Sequence, residues 1–182
     1  MAEARYIDSL KNPSIVGFEW PEAEDPSDLA IFRGILEKGA HVFCNDARDG
    51  RQAHCYSVGL YLNFQHPEIV VLGVSNDLAV EGIGKVRTLA ASGVLLGAGD
   101  ERNDIFALSH PVRFVAIGND LEKIDYLDHA AWFYRSLFFK VRPLIQHKFP
   151  VLQAVWADKD GFYPDDPRCD ETVRRVQSVL RP

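Results

Sequence analysis

Ile69, Val70, Val71, Leu72, Gly73 and Val74 form an unbroken apolar run. Such a run is how a central strand covered on both faces reads, so it calls for a sheet with a layer packed on each side. The first helix opens at Asp25 and Pro26. Asp25 can accept from unpaired amides there, Pro26 suits the first helical position, and Gly39 closes the helix. Leu29, Phe32 and Leu36 are its expected core stripe. His41, Val42, Phe43 and Cys44 then read as a short strand, and the stretch from Asn45 and Asp46 to Asp49 and Gly50 as its turn. Residues 53–60 return as a strand with Cys55, Ser57 and Gly59 on one face and His54, Tyr56, Val58 and Leu60 on the other.

After the apolar run, Ser75 or Asn76 caps a helix in which Leu78, Ile83, Val86, Leu89 and Ala90 keep helical spacing up to Gly93. Gly82 and Gly84 cost that helix roughly 1 kcal/mol each relative to Ala, which points to close packing against a neighbour or a ligand. Residues 105–108 and 112–117 read as two further short strands broken by His110 and Pro111. Asp128 starts a long helix whose stripe is Ala130, Phe133, Leu137 and Val141, ended by Arg142 and Pro143. Residues 151–156 form the last strand, and a turn at Lys159, Asp160 and Gly161 leads to a C-terminal helix capped at Asp166 and Pro167. Several strands follow one another directly, so part of the sheet must be antiparallel. The expected fold is α+β: an N-terminal arm over residues 1–24, pinned by Trp20, and one domain over residues 25–182. That domain carries a mostly antiparallel sheet of about six strands with three or four helices packed on it.

At 182 residues, 47% of them apolar, the chain can bury one continuous core without metal or disulfide staples. Its net charge of -6 leaves no basic stripe for a phosphate backbone, so nucleic acid is not an expected partner. The densest basic cluster, Arg135, Lys140, Arg142, His147 and Lys148, reads as the solvated face and end of a helix. No stretch approaches the roughly 18 apolar residues of a membrane span. Cys44, Cys55 and Cys169 are odd in number and widely spaced, which favours reduced thiols in a cytoplasmic protein. On strands His41 and Cys44 face apart, as do His54 and Cys55, so no metal site is expected from them.

Polar groups concentrate between two core strands, in Tyr56, Ser57, Val58, Gly59 and Leu60 and then His66, Pro67, Glu68 and Ile69. Gln153, Trp156 and Asp158 join them from the last strand, followed by Gly161, Phe162 and Pro164. With these motifs the chain resembles the bacterial family called domain of unknown function 4262 over roughly residues 41–177. That family's hallmarks are a tyrosine-threonine-isoleucine-glycine-leucine strand, a histidine-proline-glutamate step, and a glutamine strand ending in tryptophan-proline-aspartate. Ser57 stands where the threonine is usual and Ala157 where the proline is, and no tryptophan follows Pro164. The resemblance implies a fold and a site and supplies no reaction.

The chemistry must come from the residues. Pro67 restricts His66 to extended geometry, so His66 and Glu68 can point to one side of a strand end as a general base with its orienter, or as a structural hydrogen bond. Tyr56 and Trp156 offer an apolar wall with polar tips, and a buried Gln153 must find partners. One expectation is a small-molecule hydrolase or transferase. It would use His66, Glu68 and Asp158 for catalysis and Tyr56, Ser57, Gln153, Trp156 and His41 for binding. A second is a non-catalytic module that binds a protein partner, such as an immunity, accessory or anti-defence factor. A third is a flavin or nucleotide binder of split-barrel type. No cofactor is identified.

Overall fold

A computed structural model describes residues 15, 17–107, 110–118, 125–139 and 149–180. The elements in chain order are α1 (Pro26–Lys38), β1 (His41–Asn45), β2 (His54–Val58), α2 (Leu60–Phe64), β3 (Glu68–Leu72) and α3 (Asn76–Ala91). Then follow β4 (Glu101–Arg102), β5 (Val112–Ala116), α4 (Asp128–Phe133), α5 (Arg135–Phe139), β6 (Val151–Trp156) and α6 (Glu171–Val176). Among the described residues the strands make one six-stranded sheet in the order β1-β2-β3-β6-β5-β4. It is α+β as expected, but mixed: β3 and β6 run parallel while every other neighbouring pair is antiparallel. The sheet is open, with β1 and β4 at its edges.

β3 sits at the middle of this sheet and all five of its residues are buried. Alternation along it divides the core. Val70 and Leu72 join Tyr56 and Val58 under α1 and α4, where Phe32, Ile35, Ala130 and Phe133 close that face. Ile69 and Val71 join Cys55, Phe114 and Ala154 under α3, packed by Ile83 and Val86. Each apolar side chain of this size contributes about 1.5–3 kcal/mol on full burial, and the run serves both layers at once.

The helix signals at α1 and α3 hold at their ends. Asp25 accepts from the Ser27 and Asp28 amides, Gly39 adopts the left-handed conformation, and Ser75 caps α3. The buried stripe of α1 is Ile31, Phe32 and Ile35, one residue out of register with the expected one at Leu36. Gly82 packs against Phe106, whose ring would clash with any Cβ placed there. Trp20 meets Phe32 and Phe133 edge-on.

Other expectations are corrected. There are six helices among the described residues, four of them of five or six residues. Strand β2 ends at Val58, because Gly59 turns left-handed and starts α2. Ile105 and Phe106 are buried but lie outside any strand, and the partner of β5 is instead the short β4. The helix from Asp128 breaks at Tyr134, and the expected end at Val141, Arg142 and Pro143 lies outside the described residues. So do residues 1–14 and 16 of the expected N-terminal arm and, of the basic cluster, Lys140, Arg142, His147 and Lys148. The last helix is capped by Asp170, not Asp166. No helix among the described residues is long and apolar enough to cross a membrane.

Candidate functional site

His66 and Glu68 are sealed at the N-terminal end of β3, each with no solvent exposure. The His66 ring donates from Nδ1 to the Pro67 carbonyl at 2.7 Å and accepts at Nε2 from the Leu96 amide at 3.2 Å. Both nitrogens are therefore spent and the ring is held neutral. Burial pulls its pKa down, against the opposing pull of the Pro67 carbonyl. The Glu68 carboxyl accepts from Ser57 Oγ at 2.5 Å, from the Gly59 amide at 2.8 Å, from the Tyr61 amide at 3.0 Å and from the Tyr134 hydroxyl. Burial pushes it above the usual carboxylate range although these donors pull the other way. Ser57 completes the lock by accepting the Ile69 amide at 2.8 Å. These groups hold the left-handed turn at Gly59 and the entrance to α2.

Gln153 is equally committed, donating to the Ser178 carbonyl at 2.7 Å and accepting from the Leu180 amide at 2.7 Å. Trp156 donates through Nε1 to the Leu72 carbonyl at 3.0 Å. Asp158 accepts amides from Asp160, Phe162 and Asp170 at 2.8–2.9 Å, tying the loop after β6 to the start of α6. Because Val151 pairs with Glu68 in the parallel β3–β6 ladder, Asp158 lies seven residues further along. At roughly 3.3 Å per residue that is about 20 Å away, at the other end of the sheet. Among the described residues, none of the hollows is lined jointly by Tyr56 or Ser57, by His66 or Glu68, and by Gln153, Trp156 or Asp158.

Tyr56 leads elsewhere. It lies on the same rung as Val70 and Gln153, but its hydroxyl turns to α4. It donates to Asp128 Oδ1 at 2.6 Å, and His129 Nδ1 lies 3.1 Å from the same hydroxyl and 3.0 Å from Asp128 Oδ1. Phe43, opposite Tyr56 on β1, stacks on both the phenol and the His129 imidazole, the latter at 4.3 Å between centroids. His41 meets Phe43 edge-on at 4.7 Å. Asn45 contacts His54 at 3.2 Å between Nδ2 and Nε2, and His54 Nδ1 lies 2.8 Å from the Gln52 carbonyl. Of the expected site residues, Tyr56 and His41 thus converge on one cluster.

The electrostatics give each member a state. Burial, then the Asp128 carboxylate, push the Tyr56 phenol well above its ordinary range, so it remains a donor. Burial alone would raise Asp128, but the Tyr56 hydroxyl and the His129 amide and ring hold it below the usual carboxylate value. His41 is pulled down by burial, then by the Lys38 and His129 charges.

Asp128 forms part of two hollows. The larger, about 380 Å³, is bounded by the β1–β2 turn, His54 and Asp125. The smaller, about 290 Å³, is bounded by His129, Trp132 and the N-terminal turn of α1. The His129 side chain is 44% exposed. No motif marks His129 in the sequence, and Asp128 reads there as a helix start. A signal was nevertheless present in the period-2 alternation that puts His41, Phe43 and Asn45 beside His54 and Tyr56 on one face.

The cysteines also differ from expectation. Cys44 and Cys55 are directly paired in the β1–β2 register and form a disulfide, leaving Cys169 as the free thiol. The faces of His41 and Cys44 do diverge, but the two cysteines share a face across the ladder, which reading each strand separately could not reveal. Among the described residues no group of three or more His, Cys, Asp or Glu is arranged to hold a metal ion.

No curated protein and no solved structure matches the chain. A family model described as Domain of unknown function (DUF4262) matches residues 34–170, a span that includes Tyr56, Asp128 and His129. Since that match covers well over half of the 182 residues and runs from α1 to the cap of α6, the chain belongs to the DUF4262 family.

Proposed function

We propose that the protein acts on a small polar molecule as a hydrolase or transferase, with His129 as general base, Asp128 as its orienter and Tyr56 as the fixed donor that holds Asp128. The observation that carries this reading is the Tyr56–Asp128–His129 triangle, with every edge between 2.6 and 3.1 Å, whose Asp128 lines two hollows and whose His129 lines one of them. An ionised Asp128 favours the tautomer with a proton on His129 Nδ1, which leaves Nε2 as the proton acceptor. A water or acceptor hydroxyl gives its proton to Nε2 as it attacks an acyl or phosphoryl centre, and the leaving group takes that proton back. Phe43, stacked on the ring, limits its rotation. The saturated hydrogen bonding of His66 and Glu68 supports assigning them to the fold and moving the histidine-carboxylate chemistry to α4.

The test is a panel of small esters, amides and phosphoesters followed by product mass. Turnover of at least one compound is expected, falling by a factor of about 10²–10⁴ in His129→Ala, the usual range for a removed general base. Equal turnover by the variant, or none from the wild type across the panel, contradicts the reading.

A further inference from the structure

The β1–β2 turn carries an arrangement that stability alone does not favour. Arg48 and Arg51 face each other across its tip, each accepting the other's amide, at 3.1 and 2.9 Å. Asp49 and Gly50 between them both have positive φ, 53° and 78°, the two-residue turn that fixes a hairpin register. Like charges directly opposite on paired backbone are destabilising, so placing two arginines across this turn carries a cost.

A third arginine, Arg175, comes to line the same hollow from the far end of the chain. Gln52 donates to the Arg175 carbonyl at 2.5 Å and accepts from the Ser178 amide and hydroxyl at 2.9 Å each, clamping the end of α6 against the hairpin. Gly73 allows the approach, since a Cβ there would sit 2.4 Å from the Val176 carbonyl oxygen. The result is a hollow of about 670 Å³ lined by three arginines, Arg48, Arg51 and Arg175, a single acidic residue, Asp49, and the apolar Val74 and Val176. On a chain of net charge -6 this is a local reversal of sign. A guanidinium has five N–H donors. Asp49 engages one nitrogen of Arg48, the Asp125 carbonyl one of Arg51 and Glu171 one of Arg175.

We infer that the hollow between the β1–β2 turn and α6 binds an anionic group, a carboxylate or a phosphate, carried on an apolar body that lies against Val74 and Val176. Arg48 and Arg51 also line the hollow bounded by Asp128, so the anion is held next to the proposed reaction site. This names the substrate class of that site and rests on that reading for its link to turnover. An anion between Arg48 and Arg51 relieves their repulsion, and planar forks suit bidentate contact with either oxyanion.

The experiment titrates phenyl phosphate, phenylacetate and neutral phenol into the ¹⁵N-labelled full chain and follows the arginine Nε–H signals. At least one of the two anions is expected to saturate with shifts at Arg48, Arg51 and Arg175, while Arg102, on the opposite edge strand, stays still. Which anion binds tighter identifies the headgroup. Arg175→Gln, at a 75% exposed side chain, should weaken binding severalfold without disturbing the fold, and Arg51→Gln with Arg175→Gln tenfold or more. Arg102→Gln should change nothing. Phenol binding as tightly as the anions, no saturation by either anion, or wild-type affinity in the double variant overturns the inference. Anion binding that survives while His129→Ala leaves turnover intact strikes only the proposed reaction. Turnover without anion binding strikes only this inference.

Discussion

The Tyr56 hydroxyl donates to Asp128 Oδ1 at 2.6 Å, joining the second strand of the sheet to the first residue of α4, 72 positions later. The phenol is fully buried and the carboxylate is not, so the bond holds a surface acid from beneath. Tyr56→Phe keeps the ring packed under Phe43 and removes only the donor. A loss of about 1 kcal/mol in stability is expected from denaturation curves, together with a fall in turnover of roughly tenfold or more, as 1.36 kcal/mol of lost positioning implies. Unchanged turnover would detach Tyr56 from the site.

Glu68→Ala should act on stability. It leaves four donors, those of Ser57, Gly59, Tyr61 and Tyr134, without their acceptor in a sealed interior. With unsatisfied buried groups costing about 1–3 kcal/mol each and some relaxation, a loss of at least about 3 kcal/mol is expected by urea denaturation. A variant within about 0.5 kcal/mol of wild type, the range of ordinary surface substitutions, would mean that the turn at Gly59 holds without Glu68.

Stability should also depend on pH through Glu68. Its folded pKa is raised, chiefly by burial. The carboxyl therefore contributes fully below its ordinary value of 4.5, and the contribution is lost as pH rises through the raised folded value. Glu68→Gln removes this titration. The stability of wild type minus that of the variant should fall as pH rises from mild acid and then level off. A difference that grows with pH over that range would reverse the assigned direction.

The Cys44–Cys55 bond closes a loop with a sequence separation of 11. Reduction is expected to cost up to roughly 3 kcal/mol through the freed unfolded chain. Thiol titration of the unreduced, denatured protein should count one thiol, Cys169. Three thiols in freshly purified protein, with no change in denaturation midpoint on adding reductant, would show that the bond does not form.

What the sequence disclosed was mostly local. The apolar run at Ile69 to Val74, the caps at Asp25 and Ser75 and the turn at Asp49 and Gly50 act within a few residues, and each is where its chemistry puts it. The parallel pairing of β3 with β6 was hidden because 78 residues lie between the end of β3 at Leu72 and the start of β6 at Val151. The site was half visible. His66, Glu68, Gln153 and Asp158 stand out as polar groups in apolar strands, yet the fold uses each of them as an internal hydrogen-bonding partner. No motif marks His129, because its contacts depend on Phe43 and Tyr56 arriving from another part of the chain.

A crystal structure of the protein with a compound that it turns over tests the site most directly. The expected result is the scissile group within hydrogen-bond reach of His129 Nε2, about 2.6–3.2 Å or through one water, with the rest of the molecule running past Asp128 toward the β1–β2 turn. A compound bound productively anywhere out of reach of His129 and Asp128 would contradict it.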